Sequence, residues 1–338
     1  MITSASTPST APDRSVTSVA VGILQDAQHR VLVARRPKQS HQGGKWEFPG
    51  GKIQPGESVP DALARELREE LGIGVLVSRP LLRVVHHYSD KSVLLDVWRV
   101  LDHIGEPHGC EGQPLQWVTR GELQDLELPE ADQPILRALD LPPLYVISDA
   151  TRYGIAESLN RLERMLHAGA RLVQLREPAM PPVEYRSLAR KVVSMARDHG
   201  ARVLLNADPS WVEECGADGV HLNSNRLMAL ERRPLAARYL VAASCHDEAE
   251  LRKAARIGAD FSVLSPVHAT RSHPAAVPLG WREFARLRMA ADIPVYALGG
   301  LLADDLNEAR LAGATGLAMI RGIWDAGAID ETVGKLLA

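Results

Sequence analysis

The chain has 338 residues, 45% hydrophobic and 24% charged, which is enough apolar material for packed cores and excludes a fibre or a chain disordered in bulk. Its 39 Lys and Arg against 42 Asp and Glu leave a formal charge of −3, without the field that would hold a nucleic acid polymer. Three cysteines with no C-x-x-C pair argue against a disulfide framework or structural zinc, and no apolar run reaches the roughly 20 residues of a membrane helix, so a cytoplasmic protein of about two domains is expected.

Residues 1–15, beginning MITSASTPSTAP, are rich in Ser, Thr and Pro and read as a disordered tail, not a signal peptide. The β-branched runs 18–24 and 30–34, either side of DAQH, suit a hairpin. Residues 58–71 read as a helix: Ser58 can cap the first turn, Pro60 is tolerated there, Asp61 sits three residues on, and Gly72 stops it. Strands are expected at 81–87, 93–101 and 115–118 and a helix at 133–139, giving a mixed α+β domain over 16–140. Leu141-Pro142-Pro143 is the linker, because two prolines stiffen the chain and end the helix before it.

Beyond the linker, strand-like segments recur at 144–148, 172–175, 203–206, 219–222, 240–244, 261–264, 295–298 and 316–320, with amphipathic helical stretches between them. Gly-Ala at 169, 200, 216, 258 and 313 follows a helical stretch and precedes a strand each time, where glycine supplies the left-handed helix end. Eight such alternations over 144–338 predict a (β/α)8 barrel, with a doubly wound open sheet as the alternative.

Glu66, Glu69 and Glu70 stand at i, i+3 and i+4 on the helix of the first half, so their charges repel unless a cation or a base neutralises them. Oxygen-only ligands suit Mg²⁺ or Mn²⁺. By itself an E-x-x-E-E helix is more often a solvated acidic face. Here the run from Gly51 to Ile73 fits G-x5-E-x7-R-E-U-x-E-E-x-G-U, with U aliphatic, at every fixed position, and so resembles the Nudix box.

From about residue 19 to 139 the chain resembles the MutT branch of the Nudix hydrolases, in Arg35-Arg36, in Glu47-Phe48-Pro49-Gly50-Gly51-Lys52 and in Glu111-Gly112-Gln113-Pro114. The resemblance implies Mg²⁺-dependent hydrolysis of 8-oxo-dGTP to monophosphate and pyrophosphate, a sanitation of the nucleotide pool. It implies metal at Glu66, Glu69, Glu70, Glu111 and the carbonyl of Gly50, with Glu66, Glu70 and Glu111 as the catalytic carboxylates. Glu57 and Arg65 are expected to hold loop and helix together. The substrate pocket would take Arg36, His41, Glu47, Phe48, Pro49, Gly50, Lys52 and Asp132. Asp132 departs from the family's asparagine: an ionised carboxylate only accepts hydrogen bonds and repels a purine O6, unless a dry pocket keeps it protonated.

The second half resembles thiamin phosphate synthase and the TenI-type thiazole tautomerases in QLRE at 174–177, GADGVH at 216–221, SCH at 244–246 and ALGG at 297–300. A ligand site for a thiazole or thiamin phosphate is then expected at Gln174, Arg176, Asn206, His246, Thr270, Gly299, Gly300 and Arg321. The synthase pattern has a lysine where Pro178 stands, a metal aspartate where Ala207 stands and a second one near Arg226. Those losses speak against synthase chemistry, while proton transfer by His246 needs no metal. The barrel is therefore read first as a scaffold or ligand sensor, and second as a tautomerase or synthase; a further alternative has the Nudix half act on a thiamin-related pyrophosphate.

Overall fold

The computed structural model describes residues 16–270 and 276–337; the expected tail at 1–15 lies outside them. The first half runs β1 (Val16–Leu24), β2 (Val31–Arg35), β3 (Trp46–Glu47), β4 (Gly50–Lys52), α1 (Val59–Leu71), β5 (Gly74–His87), β6 (Ser92–Ile104), β7 (Leu115–Val118), α2 (Arg120–Asp125) and α3 (Gln133–Leu139). It holds a mixed four-stranded sheet in the order β4-β1-β6-β5 and a three-stranded sheet in the order β3-β2-β7.

The expected hairpin does not form, since β1 and β2 lie in different sheets and the two segments meet only at a bridge from Gln25 to Val31. Both edges of β1 are already taken, by β4 antiparallel and by β6 parallel along nine residues. Asp26 turns the chain away: its Oδ1 accepts from the amides of Gln28 at 3.0 Å and Arg30 at 2.8 Å, and its Oδ2 from Arg30 Nε at 2.7 Å. Strand β5 begins at Gly74, not at 81, because register shifts near Val77 and Pro80 break the alternation that marks a strand in sequence.

Helix α1 forms as its sequence dictates. The Ser58 hydroxyl accepts from the Asp61 amide, and Gly72 ends the helix in the left-handed conformation with φ 67°. Its Ala62, Leu63, Leu67 and Leu71 are fully buried on the face toward β1. Each leucine contributes roughly 1.5–3 kcal/mol through that burial, so the opposite, carboxylate-bearing face is held in a fixed place.

The second half closes into a barrel of eight parallel strands: β8 (Leu144–Ile147), β9 (Leu172–Leu175), β10 (Arg202–Leu205), β11 (Gly219–Leu222), β12 (Leu240–Cys245), β13 (Phe261–Leu264), β14 (Val295–Leu298) and β15 (Gly316–Met319), with β15 returning to β8. The glycines of all five Gly-Ala pairs have positive φ, from 63° to 110°. Tyr145, Phe261 and Tyr296 fill the barrel interior with edge-on rings; Phe261 stands 5.3 Å from each tyrosine. Arg288, at the end of a barrel helix, donates across to the carbonyl of Arg83 in the first half. No described helix is long and apolar enough to cross a membrane.

Candidate active sites

In the first half, strand β4 crosses the N-terminal part of α1 and brings the box residues together. Arg65 grips Glu57 with Nε to Oε1 at 2.8 Å and Nη2 to Oε2 at 2.9 Å, and its Nη2 also donates to the Lys52 carbonyl at 3.0 Å. Loop, strand and helix are thereby tied at one guanidinium. The same group donates to Glu66 Oε1 at 2.7 Å, which aims that carboxylate at β4. A Cβ on Gly51 would lie 2.2 Å from Glu66 Oε2, so glycine leaves the space that this carboxylate occupies.

Glu70 accepts from the Gly50 amide at 3.1 Å. Burial pushes its carboxyl up to about 7; the Gly50 hydrogen bond opposes the rise, and the charges of Glu47, Glu66 and Glu111 add to it. Four carboxylates thus share one electrostatic neighbourhood. Glu111 lies in a loop docked on the end of α1, where Gln113 Nε2 and the Cys110 amide both donate to the Glu70 carbonyl at 2.9 Å. Glu69 departs from this group: its side chain is 57% exposed and turns back to Arg65. Lys52 is exposed and offers only its carbonyl here.

Among the described residues no three His, Cys, Asp or Glu side chains are already drawn together as a metal cage. The donors nonetheless fit a hard divalent cation in kind and charge: they are all oxygens, mutually repelling, and Gly51 lets the Glu66 carboxylate approach β4 closely.

The expected substrate residues separate into a pocket and its support. Arg36 pairs with Glu47 and donates from Nε to the His41 carbonyl at 2.9 Å. His41 meets the edge of Tyr88, which also packs on His86, and the Tyr88 hydroxyl accepts from the Ala131 amide. Asp132 closes this group. It is 7% exposed, and its Oδ2 has no hydrogen-bond partner among the described residues. Burial pushes its carboxyl up to about 8, with Glu47 adding to the rise and Arg36 opposing it. Phe48 is instead part of the hydrophobic core, and Pro49 gives its carbonyl to the Gly22 amide, so these two support the pocket from behind. Gly50 is required by close approach, since a Cβ there would meet the Ala20 carbonyl at 2.1 Å. Tyr88 carries no local sequence signal and is recognisable only from the fold.

In the second half, a cavity of about 720 Å³ opens at the C-terminal ends of the strands. Gln174, Arg176, Asn206, His246, Thr270, Gly299, Gly300 and Arg321 all line it. Pro178 lines it as well, Ala207 is buried, and Arg226 lies outside the lining. His221 and Ser244, from the GADGVH and SCH runs, are joined here by a chain of contacts that their sequence separation conceals. Gln174 Nε2 donates to the Tyr145 hydroxyl at 3.3 Å, that hydroxyl lies 3.1 Å from His221 Nδ1, and His221 Nε2 lies 2.8 Å from Ser244 Oγ. Burial, with some help from Arg176, pushes His221 down to about 3, so it stays neutral. A neutral imidazole donates through one nitrogen and accepts through the other; in the tautomer where Tyr145 donates to Nδ1, the Nε2–H goes to Ser244 and the serine proton is free for a ligand in the cavity. Glu177 is a clamp: it accepts from Ser148, the Ala150 amide and Thr151 and so fixes the first strand-to-helix loop.

Residues 20–138 match the family profile described as the NUDIX domain, and residues 144–323 the one described as thiamine monophosphate synthase. The first region is 36% identical over 121 residues to the 8-oxo-dGTP diphosphatase of Escherichia coli, covering 36% of this chain and 94% of that relative. It is 40% identical over 118 residues to the CTP pyrophosphohydrolase of the same organism, covering 35% and 87%. The second region is 35% identical over 182 residues to the putative thiamine-phosphate synthase 2 of Aquifex aeolicus, covering 54% and 97%.

Proposed function

The chain belongs to the Nudix family in its first half and to the thiamine monophosphate synthase family in its second, and on that premise we propose a Mg²⁺-dependent nucleoside triphosphate diphosphatase, with 8-oxo-dGTP as the preferred substrate, joined at residues 141–143 to a phosphate-binding barrel. The observation that carries the reading is the shared neighbourhood of Glu47, Glu66, Glu70 and Glu111 under the Gly50 amide. Glu66, Glu70, Glu111 and the Gly50 carbonyl would hold the metal, while Glu69, turned back to Arg65, would not. Bound there, Mg²⁺ supplies neutralisation of phosphate charge and acidification of water. Glu66, oriented through Oε1 by Arg65, receives the proton of the attacking water at Oε2. Lys52 extends into solvent beside β4 as a screening charge for the triphosphate.

Asp132 reads the base. With its carboxyl pushed up to about 8 it is protonated at pH 7 and donates to a purine O6, which removes the repulsion an ionised acid would impose. A second reading rests on the same residue: once ionised, Asp132 accepts from an exocyclic amine, as on cytosine, which agrees with the likeness to a CTP pyrophosphohydrolase. Comparing kcat/KM for 8-oxo-dGTP, dGTP, 2-oxo-dATP and CTP decides between them. Preference for unmodified dGTP overturns the sanitation role, and preference for CTP selects the second reading. Activity retained in both Glu66→Gln and Glu70→Gln overturns the mechanism.

In the barrel, Gly299, Gly300 and Arg321 supply a phosphate subsite, while Pro178 and Ala207 leave out the cation and the carboxylate of a synthase. The barrel is thus a binder of a thiazole or thiamin phosphate. His246, its Nδ1 2.9 Å from the Ser265 carbonyl, keeps Nε2 for a proton transfer if the bound ligand is a tautomerase substrate. Calorimetry of the full chain with thiazole phosphate and thiamin phosphate tests this; absence of heat from either removes the binding role.

A further inference from the structure

The face where the two domains meet holds a cleft that neither proposed site uses. It has a volume of about 440 Å³ and lies at the N-terminal ends of the barrel strands, opposite the mouth. Arg171 directly precedes β9, Arg202 opens β10, Thr315 directly precedes β15, and Arg310 comes from the helix Leu306–Leu311. The first domain adds Arg79 and Arg99, which stand opposite one another on β5 and β6. The five arginines face one acidic lining residue, Asp140, and that carboxylate is already paired with Arg120.

Like charges directly opposed on paired strands destabilise a sheet, and charges gathered away from water repel more strongly than in it. Arg310 is 8% exposed; burial pushes it down to about 10, and Arg79 and Arg99 push it further, so the repulsion crosses the domain boundary. Among the described residues Arg99 donates to Gln25 Oε1 at 2.6 Å, Arg171 to the Leu166 and Ala170 carbonyls and Arg202 to the Asp140 carbonyl, but all of these partners are uncharged and no carboxylate forms an ion pair with Arg99, Arg171, Arg202 or Arg310. Thr315 is 5% exposed, and its Oγ1, buried in the same wall, has no hydrogen-bond partner among the described residues. Unneutralised guanidinium groups beside an orphaned hydroxyl are a costly arrangement for an apolar joint and a fitting one for an anion.

We propose that this cleft binds a diphosphate-bearing anion, gripped by Arg79 and Arg99 from one domain and by Arg202, Arg310 and Thr315 from the other. Orthophosphate, with about two charges, leaves most of these arginines unneutralised. A diphosphate brings about three, on two phosphoryl groups that both domains can engage at once through charge-assisted hydrogen bonds. The bound anion turns repulsion across the joint into attraction and fastens the domains together. The proposal does not depend on the diphosphatase reading.

The test is calorimetry and thermal melting of the full chain with inorganic pyrophosphate, in EDTA and at constant ionic strength, with orthophosphate in parallel. Pyrophosphate is expected to bind more tightly than orthophosphate and to raise Tm. Arg99→Gln and Arg310→Gln should each weaken it about tenfold, the value of one charge-assisted contact. Without ligand both variants should melt no lower than the parent, since repulsion is relieved, and Arg252→Gln on an exposed barrel helix should leave the affinity unchanged. Affinity untouched by Arg99→Gln and Arg310→Gln, affinity lost equally in Arg252→Gln, or no rise in Tm would each overturn the site. Equal affinity for the two anions would overturn its diphosphate selectivity.

Discussion

Arg65 holds both carboxylate oxygens of Glu57 while the same guanidinium aims Glu66 at strand β4. A lysine keeps the charge but has no fork to serve four partners at once. Arg65→Lys is therefore expected to lower kcat about tenfold or more through misplacement of Glu66, with KM little changed. These hydrogen bonds hold Glu57 down at about 2, below its ordinary 4.5. The pair thus stabilises the fold above pH 4.5 and loses that effect as pH falls through about 2. The Tm difference between parent and variant should shrink over that interval in an acid titration.

Gly51→Ala tests the space beside Glu66. The added methyl would lie 2.2 Å from Oε2, so the carboxylate must move while the backbone is not strained. Turnover should fall about a hundredfold, while stability changes by less than about 1 kcal/mol. Unchanged turnover would show that Glu66 does not act from its observed position.

Asp132 gives a pH signature of known sign. Its folded value, about 8, lies above the ordinary 3.8, so the unfolded chain loses this proton first and stability falls as pH rises from about 4 to 8. The loss has an upper bound of roughly 6 kcal/mol. Asp132→Asn should abolish that slope in chemical denaturation. The kcat/KM for 8-oxo-dGTP should fall about tenfold per pH unit above 8 in the parent, as the donor proton is lost, and not in the asparagine variant.

The barrel should bind without coupling. Given a pyrimidine diphosphate, thiazole phosphate and Mg²⁺, the full chain is expected to release no thiamin phosphate, because Ala207 offers no carboxylate and Pro178 no cation. Ser244→Ala should weaken thiazole phosphate about tenfold by removing the hydroxyl that the His221 relay aims into the cavity. Product detected by chromatography would refute the first expectation, and unchanged calorimetric affinity the second.

The barrel strands were legible because each is a short apolar run, and five of the eight are announced by a preceding glycine whose left-handed conformation other residues resist. Helix α1 was legible because cap, apolar stripe and stop all lie within fifteen residues or so of one another. The hairpin failed for a nonlocal reason: β1 spends both edges on β4 and on β6, some seventy residues away, and nothing near Gln25 announces it. Glu69 shows the limit of spacing arguments, because Arg65 draws it off the face that Glu66 and Glu70 share. Tyr88 and the Tyr145 to Ser244 relay depend on contacts between distant strands, which no periodicity records. The formal charge of −3 concealed the arginines of the joint, since a sum carries no positions.

The aromatic plug formed by Tyr145, Phe261 and Tyr296 has a logistical consequence. The first domain joins the barrel at the closed end of that plug, through Arg288 and the cleft, whereas the barrel cavity opens at the other end. No intermediate can be handed from one site to the other through the barrel axis. What the fusion guarantees is matched copy number, and a molecule passing from one site to the other must leave one mouth and travel round the outside of the barrel.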